Sequence, residues 1–366
     1  MSGISLLGLQ DFPGQGTALV GMMNSHLEPK PYDFARPERF RSFFRESLPL
    51  VLLEKYTYVR GERLQAQIRM ANYGKGDIDG DVSYRLCRKE RDGREEMLLQ
   101  GSLGQAHCPQ GENTPVGRLD VMLDFGEKAA RLDLTVAVGG VENMYPVWVY
   151  PGARDGSGAV DMTGAESRFE EKPESGTDIE SRNRKKFYET EVFDEETRKV
   201  LRAGGSVYLA PVSDQEHLPR SIQGQFTTDF WSVGTFGSQE GGMGQLIDKD
   251  HPIFRNFPTE SFTNWQWWPM AGQRAVILPR PLKCIITELD SYAFLRPMAQ
   301  LLEFRCGGGK VLFSSLGLRA LRQYPEAAAL QDAIYSYLAS GEFEPDQELT
   351  EEELEGFVAA PQKAAP

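Results

Sequence analysis

From Leu48 to Pro151 hydrophobic and polar residues alternate with a period of two. Leu64-Gln65-Ala66-Gln67-Ile68-Arg69-Met70 sets the pattern, and Val82-Ser83-Tyr84-Arg85-Leu86-Cys87, Leu119 to Phe125 and Leu132 to Val138 repeat it. Successive side chains on a strand point to opposite faces, so such runs predict half-buried strands. Turn residues separate them at Arg60-Gly61-Glu62, Asn72-Tyr73-Gly74-Lys75-Gly76, Arg91-Asp92-Gly93 and Val138-Gly139-Gly140. Short alternating strands at this spacing predict a two-sheet, Ig-like β-sandwich over 48–151, although the cysteine and tryptophan pattern of antibody domains is missing.

After residue 187 the period lengthens. Asp194 to Leu201 carries acidic residues in its first turn and basic ones in its last, as the helix dipole favours, and Ala203-Gly204-Gly205 predicts its end. Apolar runs at Ser206 to Ala210, Ala275 to Leu278, Leu302 to Arg305 and Lys310 to Ser315 predict strands, and Pro325 to Leu338 a helix. The helix, Gly-Gly, strand succession predicts a parallel sheet, hence an α/β domain over 187–342. Residues 152–186 are polar and poor in aromatics, which predicts a flexible linker. From Phe343 to Pro366 seven carboxylates face the single Lys363, which predicts an acidic disordered tail over 343–366. At the other end, 4–12 reads as a buried strand and 13–35 as a Pro/Gly-rich loop. Arg36 to Phe44 reads as a short helix with Phe40, Phe43 and Phe44 on one face.

Composition narrows the function classes. The formal charge of −13 in 366 residues disfavours a nucleic-acid partner, because phosphate binding needs clustered Lys and Arg. No run approaches the ~18 apolar residues of a membrane span, and Met1-Ser2-Gly3 supplies no basic signal-peptide region, so a cytoplasmic location is expected. Cys87, Cys108, Cys284 and Cys306 lack metal-type spacing and His26, His107, His217 and His251 are dispersed, so neither metal nor cofactor is expected. Cys306-Gly307-Gly308-Gly309-Lys310 leads into a strand, where a phosphate-binding loop would open a helix, and reads as a turn.

Leu9-Gln10-Asp11-Phe12-Pro13-Gly14-Gln15-Gly16-Thr17, with Gly21-Met22-Met23 and Pro29-Lys30-Pro31, resembles the segment that closes the catalytic barrel in glycoside hydrolase family 2, the β-galactosidase and β-glucuronidase group. Asn72-Tyr73-Gly74, Thr227 to Trp231 and Asn264 to Trp268 are similar to the accessory region of bacterial members. The resemblance implies that 1–47 is a remnant of the last strand of a TIM barrel with its connecting helix. The region over 187–342 resembles the flavodoxin-like, glutamine-amidotransferase-type domain that trails several sugar hydrolases. Cys284 lacks the strand-to-helix turn that a nucleophilic cysteine needs, so that domain is expected to be inactive.

Family 2 enzymes use two glutamates upstream of the last barrel strand, and carboxylates about 5 Å apart are what retaining glycoside cleavage requires. The first acidic residue here is Asp11, so no catalytic residue is assigned and the chain is expected to be inactive alone. Gln10 and Asp11 would line the sugar site once a barrel is supplied in trans or by the full-length gene. Trp231, Trp265, Trp267 and Trp268 are the candidate carbohydrate or interface aromatics, with Asn264 and Gln266 able to bond hydroxyls. Two other readings are a free-standing carbohydrate-binding module built on these tryptophans, and an interaction protein whose last domain drives homo-oligomerisation.

Overall fold

The computed structural model describes residues 8–11, 21–32, 35–91, 93–125, 128–152, 187–226, 241–291 and 293–359. Trp231 and nearly all of the expected linker lie outside these residues. The chain is predominantly β-sheet, and its packing divides it into two compact units. One lies within Met1–Phe125 and Ala130–Val149, the other within Gly126–Ala129 and Tyr150–Pro366.

In the first unit the alternating runs form strands with the predicted faces. Strand β3 (Arg63–Asn72) buries Leu64, Ala66, Ile68 and Met70 and exposes the polar residues between them. It is flanked by β1 (Ser47–Leu53) and β6 (Glu112–Met122) in a three-stranded antiparallel sheet. A five-stranded sheet has the order β2 (Thr57–Val59), β8 (Val141–Tyr150), β7 (Ala130–Val138), β4 (Ile78–Lys89), β5 (Glu95–Cys108). Leu64, Ile68 and Leu119 of the first sheet share one apolar core with Val82, Leu134 and Val147 of the second. Two antiparallel sheets, each with one apolar face, must bury those faces against each other.

The predicted helix near residue 40 is α1 (Pro37–Phe43), started by Pro37. Phe40 packs on Phe43 and Phe44 at ring-centroid distances of 5.3 and 4.8 Å, while Phe43 and Phe44 stay exposed.

The second unit carries one eight-stranded mixed sheet. Its first element is a βαβ unit made of β9 (Tyr188–Thr190), α2 (Glu195–Arg202) and β10 (Ser206–Leu209). The Asp194 carboxylate caps α2 by accepting from Thr197 N at 2.9 Å, and Gly204, with φ of 80°, ends it. Strands β9 and β10 are parallel, and β10 is parallel to β16 (Gly309–Ser314). Beyond that the predicted parallel sheet does not continue. Strand β15 (Met298–Cys306) runs antiparallel to β16, and it pairs antiparallel with β13 (Arg274–Ile277) and β14 (Ile286–Asp290). Strands β11 (Ser221–Gln223) and β12 (Gly242–Ile247) add antiparallel to β13 and β14.

The physical reason is the glycine run read above as a turn. Gly307 and Gly308 have φ of 58° and 93°, and Cys306 pairs with Gly309, so the connection is a two-residue hairpin. A hairpin this short can join antiparallel strands only, and left-handed conformation at both positions suits glycine.

Val207, Leu209, Val311 and Phe313 bury one face of the sheet under Leu201 of α2 together with Leu349, Leu354, Phe357 and Val358. The last four overturn the expectation of a disordered tail across 343–359. Thr350 and Glu353 form a reciprocal capping box that starts α4 (Glu351–Glu355), numbered after α3 (Pro325–Ala339). Four of the seven carboxylates that suggested a solvated tail are paired: Glu344 with Arg305 (2.9 Å) and Lys310, Glu351 with Arg198 (3.2 Å) and Arg202 (3.3 Å), Glu353 with Arg280 (3.1 Å), and Glu355 with Arg198. Among the described residues no helix is long and apolar enough to cross a membrane.

Candidate functional site

Gln10 and Asp11 sit on a small strand-like segment that joins none of the named sheets. Met23 N donates to Leu9 O (3.0 Å), Asp11 N to Met23 O (2.9 Å) and Lys30 N to Met22 O (3.1 Å), which ties residues 8–11 to 21–30. Gln10 is exposed, whereas Asp11 is buried and accepts from Lys30 Nζ at 2.9 Å and Gly21 N at 2.8 Å. The Lys30 hydrogen bond, helped by the Gly21 N–H, holds the Asp11 carboxyl below the usual carboxylate range. Asp11 therefore acts as the lock of this segment, and Gln10 is the side chain it presents. Replacing Lys30 by Met is expected to raise the Asp11 pKa toward the ordinary value. A carboxyl-carbon NMR titration checks this, and an unmoved titration would show that Lys30 is not the cause.

The tryptophans do not form one surface. Trp267 is 1% exposed; its Nε1 donates to Thr259 Oγ1 at 3.0 Å, and its ring packs against Phe254 and Phe257. It is core, which removes it from the candidate ligand-facing aromatics. Trp265 and Trp268 are 46% and 61% exposed and pack on Phe226 at 5.4 and 5.1 Å. The amides expected to meet sugar hydroxyls are otherwise engaged. Asn264 caps the short 3-10 turn Trp265–Trp267 by accepting from Gln266 N, and it donates to Glu260 at 3.0 Å. Gln266 is fully buried and donates to Pro258 O at 2.6 Å.

A feature that sequence reading missed is a cleft of about 410 Å³ at the carboxyl ends of β9, β10 and β16. Thr190 ends β9, Tyr208 and Ser213 come from β10 and the loop after it, and Arg319 follows β16; Gln273 and Gln331 complete the wall. Side chains at the carboxyl ends of adjacent parallel strands converge on one edge, and open α/β sheets place ligands there. In the cleft wall Gln331 Nε2 donates to Tyr335 Oη at 2.9 Å, and Tyr335 Oη donates to Glu189 Oε1 at 2.9 Å. Arg319 pairs with Glu191 at 2.8 Å. Because Tyr335 is partly buried beside the Glu189 carboxylate, its hydroxyl is held protonated well above the usual range.

A second polar group of this unit is interior. Glu288, 1% exposed, accepts from Gln245 Nε2, which also donates to Ala271 O at 3.1 Å, while Glu288 Oε1 is buried without a hydrogen-bond partner. Burial pushes the Glu288 carboxyl up to about 8, against the Gln245 amide, which pulls it down. Among the described residues no group of three or more His, Cys, Asp or Glu stands where it could hold a metal ion.

Comparison with solved structures gives likenesses to parts of this chain. The alkylpurine DNA glycosylase of Pseudomonas fluorescens, bound to DNA with an abasic-site analogue, is 13% identical over 29% of this chain and 30% of its own, with a TM-score of 0.24. The sporulation control protein Spo0M of Bacillus subtilis is 20% identical over 30% of this chain and 51% of its own, with a TM-score of 0.23. A β-glucosidase of Listeria innocua in complex with gluconolactone is 13% identical over 29% of this chain and 16% of its own, with a TM-score of 0.22. This chain thus spans from about a sixth to about half of these three proteins. No curated protein matches it. Two families do match in part: residues 62–151 are similar to a Domain of unknown function (DUF8488), and residues 188–359 to a Domain of unknown function (DUF8487).

Proposed function

We propose that this chain is the non-catalytic carboxyl-terminal portion of a family 2 glycoside hydrolase. It would comprise a barrel-end segment, an Ig-like sandwich and a diverged, inactive unit of the amidotransferase-like, flavodoxin-related kind. The observation that carries the reading is the segment around Gln10. Among the described residues it joins none of the named sheets and presents Gln10 beside a Lys30-locked Asp11, and Leu9, Tyr32, Phe43 and Phe44 are each at least 40% exposed. An apolar flank of this kind suits a missing barrel wall, which would cover it and bring Gln10 to the rim where barrel strands meet substrate.

Two measurements on the full chain test the reading together. Nitrophenyl β-galactoside and β-glucuronide are expected to show no turnover above buffer, and amides of 21–30 are expected to exchange much faster than those of Arg63–Asn72. Turnover, or protection of 21–30 equal to that of the sandwich, would sink the proposal.

A second reading rests on the exposed Trp265 and Trp268 rings stacked on Phe226, which suit the C–H face of a sugar. On that reading the chain is a free-standing carbohydrate-binding module, and Trp268→Ala abolishes its affinity for oligosaccharide.

A further inference from the structure

Strand β12 is fastened to its neighbour in two different ways along its length. Its pairing with β14 runs Ile247 to Ile286, Leu246 to Thr287 and Gln245 to Glu288, then shifts to Gly242 with Asp290, so three steps along β12 oppose two along β14. Gly244, with φ of 97°, supplies the left-handed turn of this bulge. A bulge interrupts the backbone ladder, so the Gly242–Gln245 half depends on other attachments. The remaining half is held from both sides, because Ile247 N donates to Ser261 O at 3.0 Å and Leu246 bridges Phe262.

The Glu288 carboxyl attaches the bulged half. It accepts from Gln245 Nε2, which also donates to Ala271 O at 3.1 Å, so one side chain ties β14 to the bulge and to the turn before β13. Its other oxygen lies against Gly242, where any Cβ would overlap Glu288 Oε1, so only glycine lets the strand lie over the carboxyl. Glu288 and Gln245 are both buried. Of the groups that meet Glu288 none is cationic. Strand β12 contains no titratable residue, Met298 stands opposite on β15, and Gln225 and Gly244 bring backbone N–H groups only. The charge it feels through space is that of Asp290, which repels and is itself bound by Arg296 at 2.7 Å.

We infer that Glu288 is a latch: protonated, it holds the bulged half of β12 on the sheet, and on losing its proton it releases that half while the rest of the unit stays folded. A carboxylate there would sit out of water with amide donors alone, and turning Gly242–Gln245 outward lets it reach solvent. In the closed strand burial pushes the carboxyl up to about 8, whereas the opened strand returns it to its ordinary 4.5. The latch is therefore fully engaged below about pH 4.5, weakens above it, and is lost as pH rises through about 8. This device depends on neither reading of the function given above.

Amide exchange of the full chain at pH 6 and pH 9, in urea concentrations below the unfolding transition, tests the latch once rates are divided by those of an unstructured peptide. Protection of Gly242–Gln245 is expected to fall at least about tenfold between the two pH values, with little dependence on urea. Exchange of β16, in the middle of the same sheet, is expected to depend steeply on urea. Glu288→Gln keeps the shape without the titration and is expected to give equal protection at both pH values. Gly242→Ala is expected to open the bulged half already at pH 6. Should Glu288→Gln fail to fold, carboxyl-carbon NMR of the parent chain takes its place, and the fall in protection must level off where Glu288 titrates. A fall that persists in Glu288→Gln, or that continues past the Glu288 midpoint, would overturn the inference. So would protection that is constant with pH in the parent chain, or a bulge that stays closed in Gly242→Ala. Exchange of Gly242–Gln245 as urea-dependent as that of β16 would also overturn it, because strand and unit would then open together.

Discussion

Trp267→Ala is expected to destabilise the second unit by about 3–5 kcal/mol, whereas Trp268→Ala, one residue along, is expected to shift it by less than about 0.5 kcal/mol. Trp267 is 1% exposed, lies edge-on to Phe257 at 5.6 Å and to Phe254 at 6.2 Å, and satisfies its indole N–H on Thr259. Removing it leaves a cavity beside the Phe254 and Phe257 rings and takes the indole N–H away from Thr259 Oγ1, whose own hydroxyl keeps its donation to Glu260 O at 3.2 Å. Trp268 is 61% exposed and touches Phe226 edge-on, so its loss returns a surface position to water. Urea unfolding followed by circular dichroism reads both variants. Equal effects would mean that the two indoles share one environment, and the separation of core from surface aromatics would be wrong.

The second large effect is on pH. The Glu288 carboxyl titrates at 4.5 in an ordinary setting and is pushed up to about 8 in the fold by burial. Below about pH 4.5 both folded and unfolded chains hold the proton, and Glu288 makes no pH-dependent difference. Between about 4.5 and 8 the unfolded chain releases it while the folded chain keeps it, so stability falls as pH rises. Above about 8 the loss is complete, on the order of 4–5 kcal/mol at 1.36 kcal/mol per pKa unit. Glu288→Gln keeps the shape and removes the titration. Its urea midpoint is therefore expected to be flatter across pH 5 to 8 than that of the parent chain, and higher at pH 8. A variant that is less stable than the parent at pH 8, with the slope unchanged, would show that Glu288 is ionised and paired in the fold.

Much of the first unit was legible because its chemistry is local. Alternation at Leu64 to Met70 fixes which face of that strand is apolar, and a register slip of one residue would expose all four buried side chains. The strands that escaped notice are those whose period is broken. Strand β5 pairs with β4 through register shifts at Val82/Ser83 and Leu86/Cys87, which destroys the period-two signal. Strand β1 contains Pro49, which sits at a sheet edge, where the missing N–H is tolerated.

The stretch 343–359 misled for a different reason. Seven carboxylates in a row of turns look like solvated disorder until Arg198, Arg202 and Arg280, far away in sequence, are placed against three of them. Such pairing is non-local, and so is the apolar cover that Leu349, Leu354 and Phe357 give to the sheet. The tryptophans show the same limit at shorter range. Asn264 to Trp268 is one continuous motif, and only the turn of the backbone at Trp265–Trp267 sends Trp267 inward and Trp265 and Trp268 outward.

By itself the sequence determined the elements whose cause lies within a dozen residues. These are the alternating strands of the first unit, the capped helix after Asp194 and its glycine stop, the Pro37 helix, and the Gly307-Gly308 turn. Tertiary structure alone decided what depends on distant partners: the antiparallel return of β15, the ordering of the acidic stretch, the interior state of Glu288, and the cleft where three parallel strands end. Backbone geometry and hydrophobic period act between near neighbours, whereas burial, charge neutralisation and the shape of a cavity are properties of residues that meet only after the chain has folded.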